Sequence, residues 1–291
     1  MNAGGSVPRL RVGCAMWAHR PWVGRYFPSD TRQGRELAAY ASWCTAVEGN
    51  TSFYGLPAPD TVRRWAEDAP PDFRFVFKVP QTVTHQRRLR NVEAELDEFL
   101  DRIEPLGERA DPVSVQLPAS FSPEDLPALD GFLREAPSGH QWAVEVRHPD
   151  FSPGGSHERQ FHDLLAERGA ERIIIDTRAV FAGPRVTPAE IEAFARKPRL
   201  PVRPVAIGNT PIVRFIGQTD PEANPTWWSK WVPKVADWLG EGREPIVFIH
   251  TPDNDVAPEL ARRFHGEVAR QVPGLEALPE PITAASQLKL I

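Results

Sequence analysis

Residues 142–149 read Trp-Ala-Val-Glu-Val-Arg-His-Pro, an apolar and charged alternation that stops at a proline. Side chains alternate between the two faces of a strand, so Val144 and Val146 point one way and Glu145 and Arg147 the other. The apolar face can pack under helices, and the other face carries an acid and a base near the C-terminal end. Such charges are costly on a buried strand unless they have partners or a function. The stretch therefore predicts a strand that ends in a polar site.

Seven further segments have the length and composition of strands, and most are followed by a helical pattern. In chain order they are Leu10–Ala15, Ala46–Asn50, Phe73–Val79, Val113–Leu117, Arg172–Asp176, Pro211–Gly217 and Pro245–His250. Together with 142–149 they give eight strands and predict an α/β protein with a (β/α)8 TIM-type barrel. A doubly wound open sheet is the alternative, but it buries both faces and should be more uniformly apolar.

The length of 291 residues suits one barrel. We expect a single domain over 1–291, in which 1–8 and 275–291 are terminal extensions. The connection between strands six and seven, residues 177–210, is the longest, contains a predicted helix from Pro188 to Ala195, and is expected to cover the site end of the barrel. A Trp-rich helix is predicted from Trp227 to Leu239.

Composition narrows the functional class. The net charge of −5 disfavours a protein that coats nucleic acid, although it allows a local basic cleft. Cys14 and Cys44 lack C-x-x-C spacing and are expected to be buried thiols in a reducing compartment. No apolar run approaches about 20 residues, and no basic segment precedes an apolar one at the start. The sequence predicts a cytoplasmic protein with no membrane segment and leaves the oligomeric state open.

Polar side chains recur on the predicted inner face of the strands, near their C-terminal ends, where barrel enzymes carry their sites. The candidate catalytic residues are Glu48, Glu145, Asp176 and His250. The candidate substrate-binding residues are Trp17, Asn50, Tyr54, Lys78, His85, Gln116, Arg147, His148 and Arg214. Loop residues expected at the rim also include His19, Trp22, Asp253 and Asn254. For the loop tryptophans, packing against the rim is favoured over stacking on a ligand.

A structural network is the alternative to a ligand site. Three acids (Glu48, Glu145, Asp176) and three cations (Lys78, Arg147, Arg214) would balance in charge and could plug the barrel. We favour the ligand site, because desolvating six charges for stability alone is worse than packing hydrophobic side chains of similar volume.

Three functions are compatible with this set. The first is a metal-free enzyme for a small polar or anionic ligand (carboxylate-, phosphate- or sugar-like), in which Lys78, Arg147 and Arg214 hold the ligand and Glu48 or Glu145 is the general acid or base. No P-loop, G-x-G-x-x-G or G-x-S-x-G pattern is present, so no cofactor is identified.

The second is a divalent-metal hydrolase, phosphodiesterase or isomerase that uses Glu48, Glu145, Asp176 and His250, an interpretation that includes action on nucleic acid. The neighbouring Lys and Arg side chains would compete for the same carboxylates, and no H-x-H or H-E-x-x-H spacing supports it. The third is a non-enzymatic ligand or nucleic-acid binder that uses the basic cluster at residues 87, 88 and 90, although such a run is more often a solvated helix entry.

Several motifs together resemble the YecE-like family, a domain of unknown function (number seventy-two). Their sequences are Gly-Cys-Ala-Met-Trp at 13–17, Glu-Gly-Asn-Thr-Ser-Phe-Tyr at 48–54, Glu-Val-Arg-His-Pro at 145–149, Asp-Thr at 176–177 and Val-Arg-Phe at 213–215. The resemblance covers most of the chain and implies a TIM-type barrel, with no established reaction. The sequence after strand eight departs from the family's usual Asn-rich turn, so no role for His250 is carried over from the family.

Overall fold

A computed structural model of the chain describes residues 9–283, and its eight parallel strands form one ring. The strands are β1 (Arg11–Cys14), β2 (Ala46–Gly49), β3 (Arg74–Phe77), β4 (Val113–Gln116), β5 (Trp142–Glu145), β6 (Glu171–Asp176), β7 (Ile212–Ile216) and β8 (Ile246–His250). Their order is β3-β2-β1-β8-β7-β6-β5-β4. The last seam closes through a parallel bridge between Lys78 and Ser114, where the Val79 amide donates to the Ser114 carbonyl at 2.9 Å. The predicted (β/α)8 barrel is confirmed.

Helices occupy the connections and pack around the outside of the ring. They are α1 (Glu36–Ala41), α2 (Thr51–Tyr54), α3 (Pro59–Asp68), α4 (Glu93–Ile103), α5 (Leu126–Glu135), α6 (Glu158–Glu167), α7 (Arg178–Ala182), α8 (Pro188–Arg196), α9 (Asn224–Trp228), α10 (Trp231–Gly240) and α11 (Ala257–Ala269). The single Trp-rich helix predicted from Trp227 to Leu239 is wrong, because two helices meet there. Pro233 is tolerated only in the first turn of a helix, so α10 has to begin just before it.

The side chains inside the barrel change from apolar to polar towards the C-terminal ends of the strands. Its lower part is a separate apolar cluster made of Ala46, Val76, Ala143, Ile173, Ile212, Ile246 and Phe248. Outward side chains of the same strands join the main core under the helices, as where Phe75 and Phe77 stack beside Trp65. The next inward positions towards the strand ends are polar, and this layer forms the floor of the site described below.

Gly13 is required where β1 approaches β2. A Cβ atom at this position would lie 1.8 Å from the carbonyl oxygen of Ala46, which is a backbone atom that cannot rotate away. We expect Gly13→Ala to lower the free energy of unfolding by about 1–3 kcal/mol, as overpacking does. Gly139→Ala is the matched control, because a Cβ atom there meets open space. Urea unfolding of both variants tests this, and equal stability would contradict the predicted clash.

The long connection after β6 folds back over the C-terminal ends of the strands. Its helix α8 begins at a capping box in which the Glu190 amide donates to Thr187 Oγ1 at 3.2 Å and the Glu190 carboxylate accepts from the Thr187 amide at 2.9 Å. Thr177 Oγ1, just after β6, donates to the Pro198 carbonyl at 2.8 Å. The capping box fixes the start of α8, and the bond from Thr177 ties the chain after α8 to the end of β6.

The ends of the described chain are less regular. Residues 275–283 form no helix or strand, although Leu275 and Leu278 pack against the main core. Of the predicted extensions, 1–8 and 284–291 lie outside the described residues. No helix within residues 9–283 is long and apolar enough to cross a membrane.

Candidate functional site

A cavity of about 480 Å³ opens at the C-terminal mouth of the barrel, and we call it the mouth cavity. Strand ends, α2 and α8 form its walls. Its polar lining includes Asn50, Tyr54, Lys78, Gln116, Arg147, Lys197, Arg214 and His250. A second cavity of about 410 Å³ lies at the opposite end, beside Arg11 and Arg74. Barrel enzymes carry their chemistry at the C-terminal face, so the mouth cavity is the candidate site.

Arg214 is the centre of a buried ion network beneath the cavity. Its guanidinium donates to both carboxylate oxygens of Glu48, with Nη2 3.0 Å from Oε1, and its Nη1 donates to Glu145. Burial alone would raise the pKa of Glu145, but the Arg214 and Arg147 guanidiniums outweigh it and lower that pKa to about 2. Arg214 and Lys78 likewise hold the pKa of Glu48 well below its usual range against the effect of burial. Both acids are therefore ionised.

The ammonium group of Lys78 is held by two buried side chains. Its Nζ lies 2.8 Å from Glu48 Oε1 and donates to Gln116 Oε1 at 2.9 Å. The side chain of Ser52 donates to the Lys78 carbonyl at 2.7 Å and fixes the strand end. Burial, followed by the nearby Arg214, lowers the pKa of Lys78. The Asn50 side chain, also at the wall, donates to the Ala15 carbonyl at 2.8 Å.

Arg147 is bound on one side only. Its Nε donates to Glu145 Oε1 at 2.8 Å, and its side chain is 23% exposed. Within residues 9–283 no side chain or carbonyl accepts from its two terminal nitrogens. Because Arg147 also lines the mouth cavity, these donors are available to a ligand.

His250 contributes a buried nitrogen without a partner. Its Nε2 lies 3.5 Å from Glu48 Oε2 but makes no hydrogen bond to any described residue. Burial, which outweighs the neighbouring Glu48, lowers the pKa of His250 to about 4, so the imidazole is neutral at pH 7. A buried polar atom of this kind usually has a hydrogen-bonding partner, which a ligand or water in the cavity would supply.

His85 approaches the site from a π-helical turn, Thr82–Gln86. Its ring packs edge-on against Phe53 at 5.0 Å, and its Nδ1 lies 2.9 Å from Thr84 Oγ1. Burial and then the charge of Arg147 lower the pKa of His85. Arg88, Leu89 and Asn91, which follow this turn, have positive φ angles of 51°, 64° and 52°. π-Turns and strained backbone of this kind are frequent near functional sites.

Helix α8 adds two cations that sequence reasoning missed. Arg196 and Lys197 line the mouth cavity, but Arg196 pairs with Glu192 at 2.9 Å. Lys197 is half-buried, and burial followed by the charge of Arg214 lowers its pKa to about 8. No signal in the sequence could have found it, because hydrophobic periodicity does not relate a helix inside a loop to the strand ends beneath it.

The structure does not bring together all of the predicted residues. Asp176 points outward, where it accepts from Trp231 Nε1 at 2.8 Å and from Arg178 Nη2 at 2.7 Å, so its predicted inward orientation is wrong. Ile175 takes the inward position beside Arg214. The acid at the strand end instead holds α10 against the barrel.

Two predicted rim residues also lie away from the cavity. Trp17 packs edge-on against Trp65 at 4.9 Å in the core outside the barrel. This agrees with the packing favoured for the loop tryptophans, and the candidacy of Trp17 as a substrate-binding residue is wrong. The His148 side chain points towards the short helical turn Pro149–Phe151, where its Nδ1 accepts a hydrogen bond from the Asp150 amide at 3.3 Å. Tyr54 is 76% exposed at the rim and does line the cavity.

These positions bear on the two alternative functions. With Asp176 turned outward, the proposed metal ligands are not assembled, and within residues 9–283 no group of three His, Cys, Asp or Glu side chains could hold a metal ion. The basic cluster is paired internally: Arg87 binds Glu95, and both Arg88 and Arg90 bind Asp125. It is therefore not a free cationic surface.

Comparisons with known proteins agree with this architecture. A family model described as "Protein of unknown function DUF72" matches residues 11–284. The chain is 38% identical to the UPF0759 protein YecE of Escherichia coli strain K12 over 270 residues, which are 93% of this chain and 96% of that protein. It is 29% identical to the UPF0759 protein YunF of Bacillus subtilis over 79 residues, which are 27% of each chain.

Two crystal structures of DUF72 family proteins are similar in fold. The protein from Thermotoga maritima superposes with a TM-score of 0.67 at 22% identity, over 89% of this chain and 98% of that one. The protein from Enterococcus faecalis gives a TM-score of 0.66 at 20% identity, over 89% and 96% of the two chains.

Proposed function

The chain belongs to the DUF72 family, and we propose that it is an enzyme that binds a small anionic molecule, a carboxylate or phosphate, in the mouth cavity. The observation that carries this proposal is the excess of cationic over anionic side chains at the cavity. Five cationic side chains line the cavity. Arg196 is paired with Glu192, which also lines it, and the other four, Lys78, Arg147, Lys197 and Arg214, are opposed by the two carboxylates of Glu48 and Glu145. The excess positive charge favours an anion.

Arg147 is the residue that we assign to direct contact with the anion. Its terminal nitrogens have no acceptor among the described residues, and a guanidinium binds carboxylate and phosphate oxygens bidentately. Arg214, by contrast, donates its hydrogen bonds to Glu48 and Glu145 and fixes the positions of these two carboxylates beneath the cavity. The volume of about 480 Å³ suits a small molecule.

The acid–base role moves from the glutamates to a histidine. Glu48 and Glu145 are ionised and held by Arg214, so they are poor general acids at neutral pH. His250 is neutral at pH 7 and presents an Nε2 atom without a hydrogen bond beside the cavity. We therefore assign proton transfer to His250.

Replacing Arg147 with glutamine is expected to weaken the binding of inorganic phosphate roughly 10- to 100-fold, because charge-assisted hydrogen bonds are lost. Arg168→Gln is the matched control. Arg168 is 24% exposed and binds Asp130 through its Nε at 2.7 Å, as Arg147 binds Glu145. Its Nη2 also lies 3.6 Å from Glu167 Oε1, and it does not line the cavity. Isothermal titration calorimetry with phosphate measures both variants.

Two outcomes of this titration would contradict the proposed function. One is the absence of phosphate and carboxylate binding in the unaltered protein at low salt. The other is equal weakening by Arg147→Gln and Arg168→Gln, which would show that binding follows overall charge and not the cavity.

A further inference from the structure

Among the lysines of residues 9–283, Lys197 is the one that combines access to the mouth cavity with the absence of a charged partner. Lys78, the other lysine at the cavity, is held by Glu48 and Gln116. Within residues 9–283, Lys197 Nζ makes no hydrogen bond or ion pair. A half-buried amine without an acceptor is costly as an ammonium ion, so its position calls for another explanation.

The backbone of Lys197 is fixed while its side chain is left free. Its amide donates to the Ala193 carbonyl at 3.0 Å, at the end of α8. The next residue, Pro198, is held by Thr177 at the end of β6. Two short links therefore hold the backbone of Lys197 beside the mouth cavity, which its side chain lines, and a reacting group has to be positioned in this way.

The electrostatic environment favours the neutral amine. Burial and the nearby cations Arg214, Lys78 and Arg147 act against protonation and lower the pKa of Lys197 to about 8, although Glu48 partly opposes them. At pH 8 roughly half of such amines are neutral, compared with well under 1% of ordinary lysine side chains. Desolvation and adjacent cations are the usual means by which proteins activate a lysine as a nucleophile.

We propose that Lys197 forms an imine with a small aldehyde or ketone that carries an anionic group. The lone pair of Nζ forms a bond to the carbonyl carbon, and the π pair of the carbonyl moves to oxygen, which takes up a proton. The nitrogen gives up a proton to His250 or water, and the oxygen takes up a second proton from the same groups. The nitrogen lone pair then forms the C=N bond as the C–O bond breaks, the oxygen leaves as water, and the remaining N–H proton of the iminium ion passes to solvent. The step releases one water molecule and needs no oxidant or reductant.

This inference rests on the proposed function, since the anionic group would bind Arg147 while the carbonyl meets Lys197. It also narrows the substrate class. Among small carboxylates and phosphates, those with an aldehyde or ketone group, such as 2-oxo acids and phosphorylated aldehydes, fit both an anion site and a free amine.

Reductive trapping tests the proposal. The chain contains five lysines, at positions 78, 197, 230, 234 and 289, so an adduct can be assigned by peptide mapping. The protein is incubated with sodium cyanoborohydride and pyruvate, glycolaldehyde phosphate or neutral glycolaldehyde. We expect one adduct, at Lys197, that forms about tenfold or more faster with the two anionic probes and is suppressed by inorganic phosphate. Lys197→Arg should abolish it, and Lys230→Arg, a change at an exposed lysine, should not.

The possible results separate the two proposals. If the unaltered protein binds phosphate in the titration above but gives no adduct, the imine is overturned and the anion site stands. An adduct at Lys78, or one spread evenly over Lys230 and Lys234, also overturns the assignment to Lys197. If phosphate does not bind and the neutral probe reacts as fast as the anionic ones, both proposals fail.

Discussion

Replacing Arg214 with leucine is expected to lower the free energy of unfolding at pH 7 by about 3–5 kcal/mol. Arg214 is the shared partner of Glu48 and Glu145, and all three side chains are buried. Without the guanidinium the two carboxylates would remain in the barrel with Lys78 and Arg147 as their closest cations. Urea unfolding monitored by tryptophan fluorescence measures the loss.

Arg178→Leu is the matched control for this variant. Arg178 also binds a buried strand-end acid, Asp176, through two hydrogen bonds, but its side chain is 38% exposed. Asp176 would keep its bonds from Trp231 Nε1 and the Arg178 amide, so we expect a loss of about 1 kcal/mol. Equal losses in the two variants would refute the central role assigned to Arg214.

The pH dependence gives a second signature of the same change. Without Arg214, burial should raise the pKa values of Glu48 and Glu145 above those of the unfolded chain. A raised folded pKa means that the folded state binds protons first, so the variant gains stability as the pH falls towards about 5. The difference between the variant and the unaltered protein should therefore shrink on acidification, whereas a packing defect would leave it constant.

The sequence predicted the inward set best where the two faces of a strand differ in chemistry. Lys78 follows Phe75 and Phe77, and these two aromatic side chains can only pack under helices, so the phase of β3 is fixed. Glu145 and Arg214 sit between apolar neighbours in the same way. Alternation thus located the members of the ion network, although not their pairing, which depends on the curvature of the ring.

The alternation of apolar and polar residues did not predict side-chain orientation where the two faces of a strand have the same chemistry. In β6, the run of Ile173, Ile174 and Ile175 does not show which side chains point into the barrel, because both faces of the strand are apolar. Asp176 was therefore assigned to the wrong face, one residue away from the inward Ile175. Trp17 failed for a related reason: an aromatic side chain in a loop can pack under a helix or line a ligand site, and its sequence context does not distinguish the two.

These errors change the predicted chemistry of the site. The sequence predicted three acids against three cations, a neutral set for which a structural plug was the alternative to the favoured ligand site. Moving Asp176 out of the set and adding Lys197 leaves two acids against four cations. The sign of the net charge, on which the proposed anion site rests, thus depends on the orientation of one strand and on one loop residue that only the three-dimensional structure supplies.

Acidification is expected to destabilise the protein in two successive pH ranges. For His250 the folded pKa of about 4 lies below its ordinary value of 6.5, so the unfolded chain binds a proton first and stability falls between pH 6.5 and 4. For Glu145 the folded pKa of about 2 lies below 4.5, so its contribution is complete above pH 4.5 and is lost between 4.5 and 2. Each group should account for about 3 kcal/mol.

His265 provides the control for the upper range. It is buried away from the cavity, and burial followed by the charge of Arg262 lowers its pKa to about 4 as well. His250→Asn and His265→Asn should each remove about 3 kcal/mol of the stability loss between pH 6.5 and 4, and neither should change the contribution of Glu145 below 4.5. Urea unfolding at a series of pH values between 7.5 and 3 measures these slopes. A stability that stays constant from pH 6.5 to 4 in the unaltered protein would show that His250 is not held neutral, and would remove the basis for its role in proton transfer.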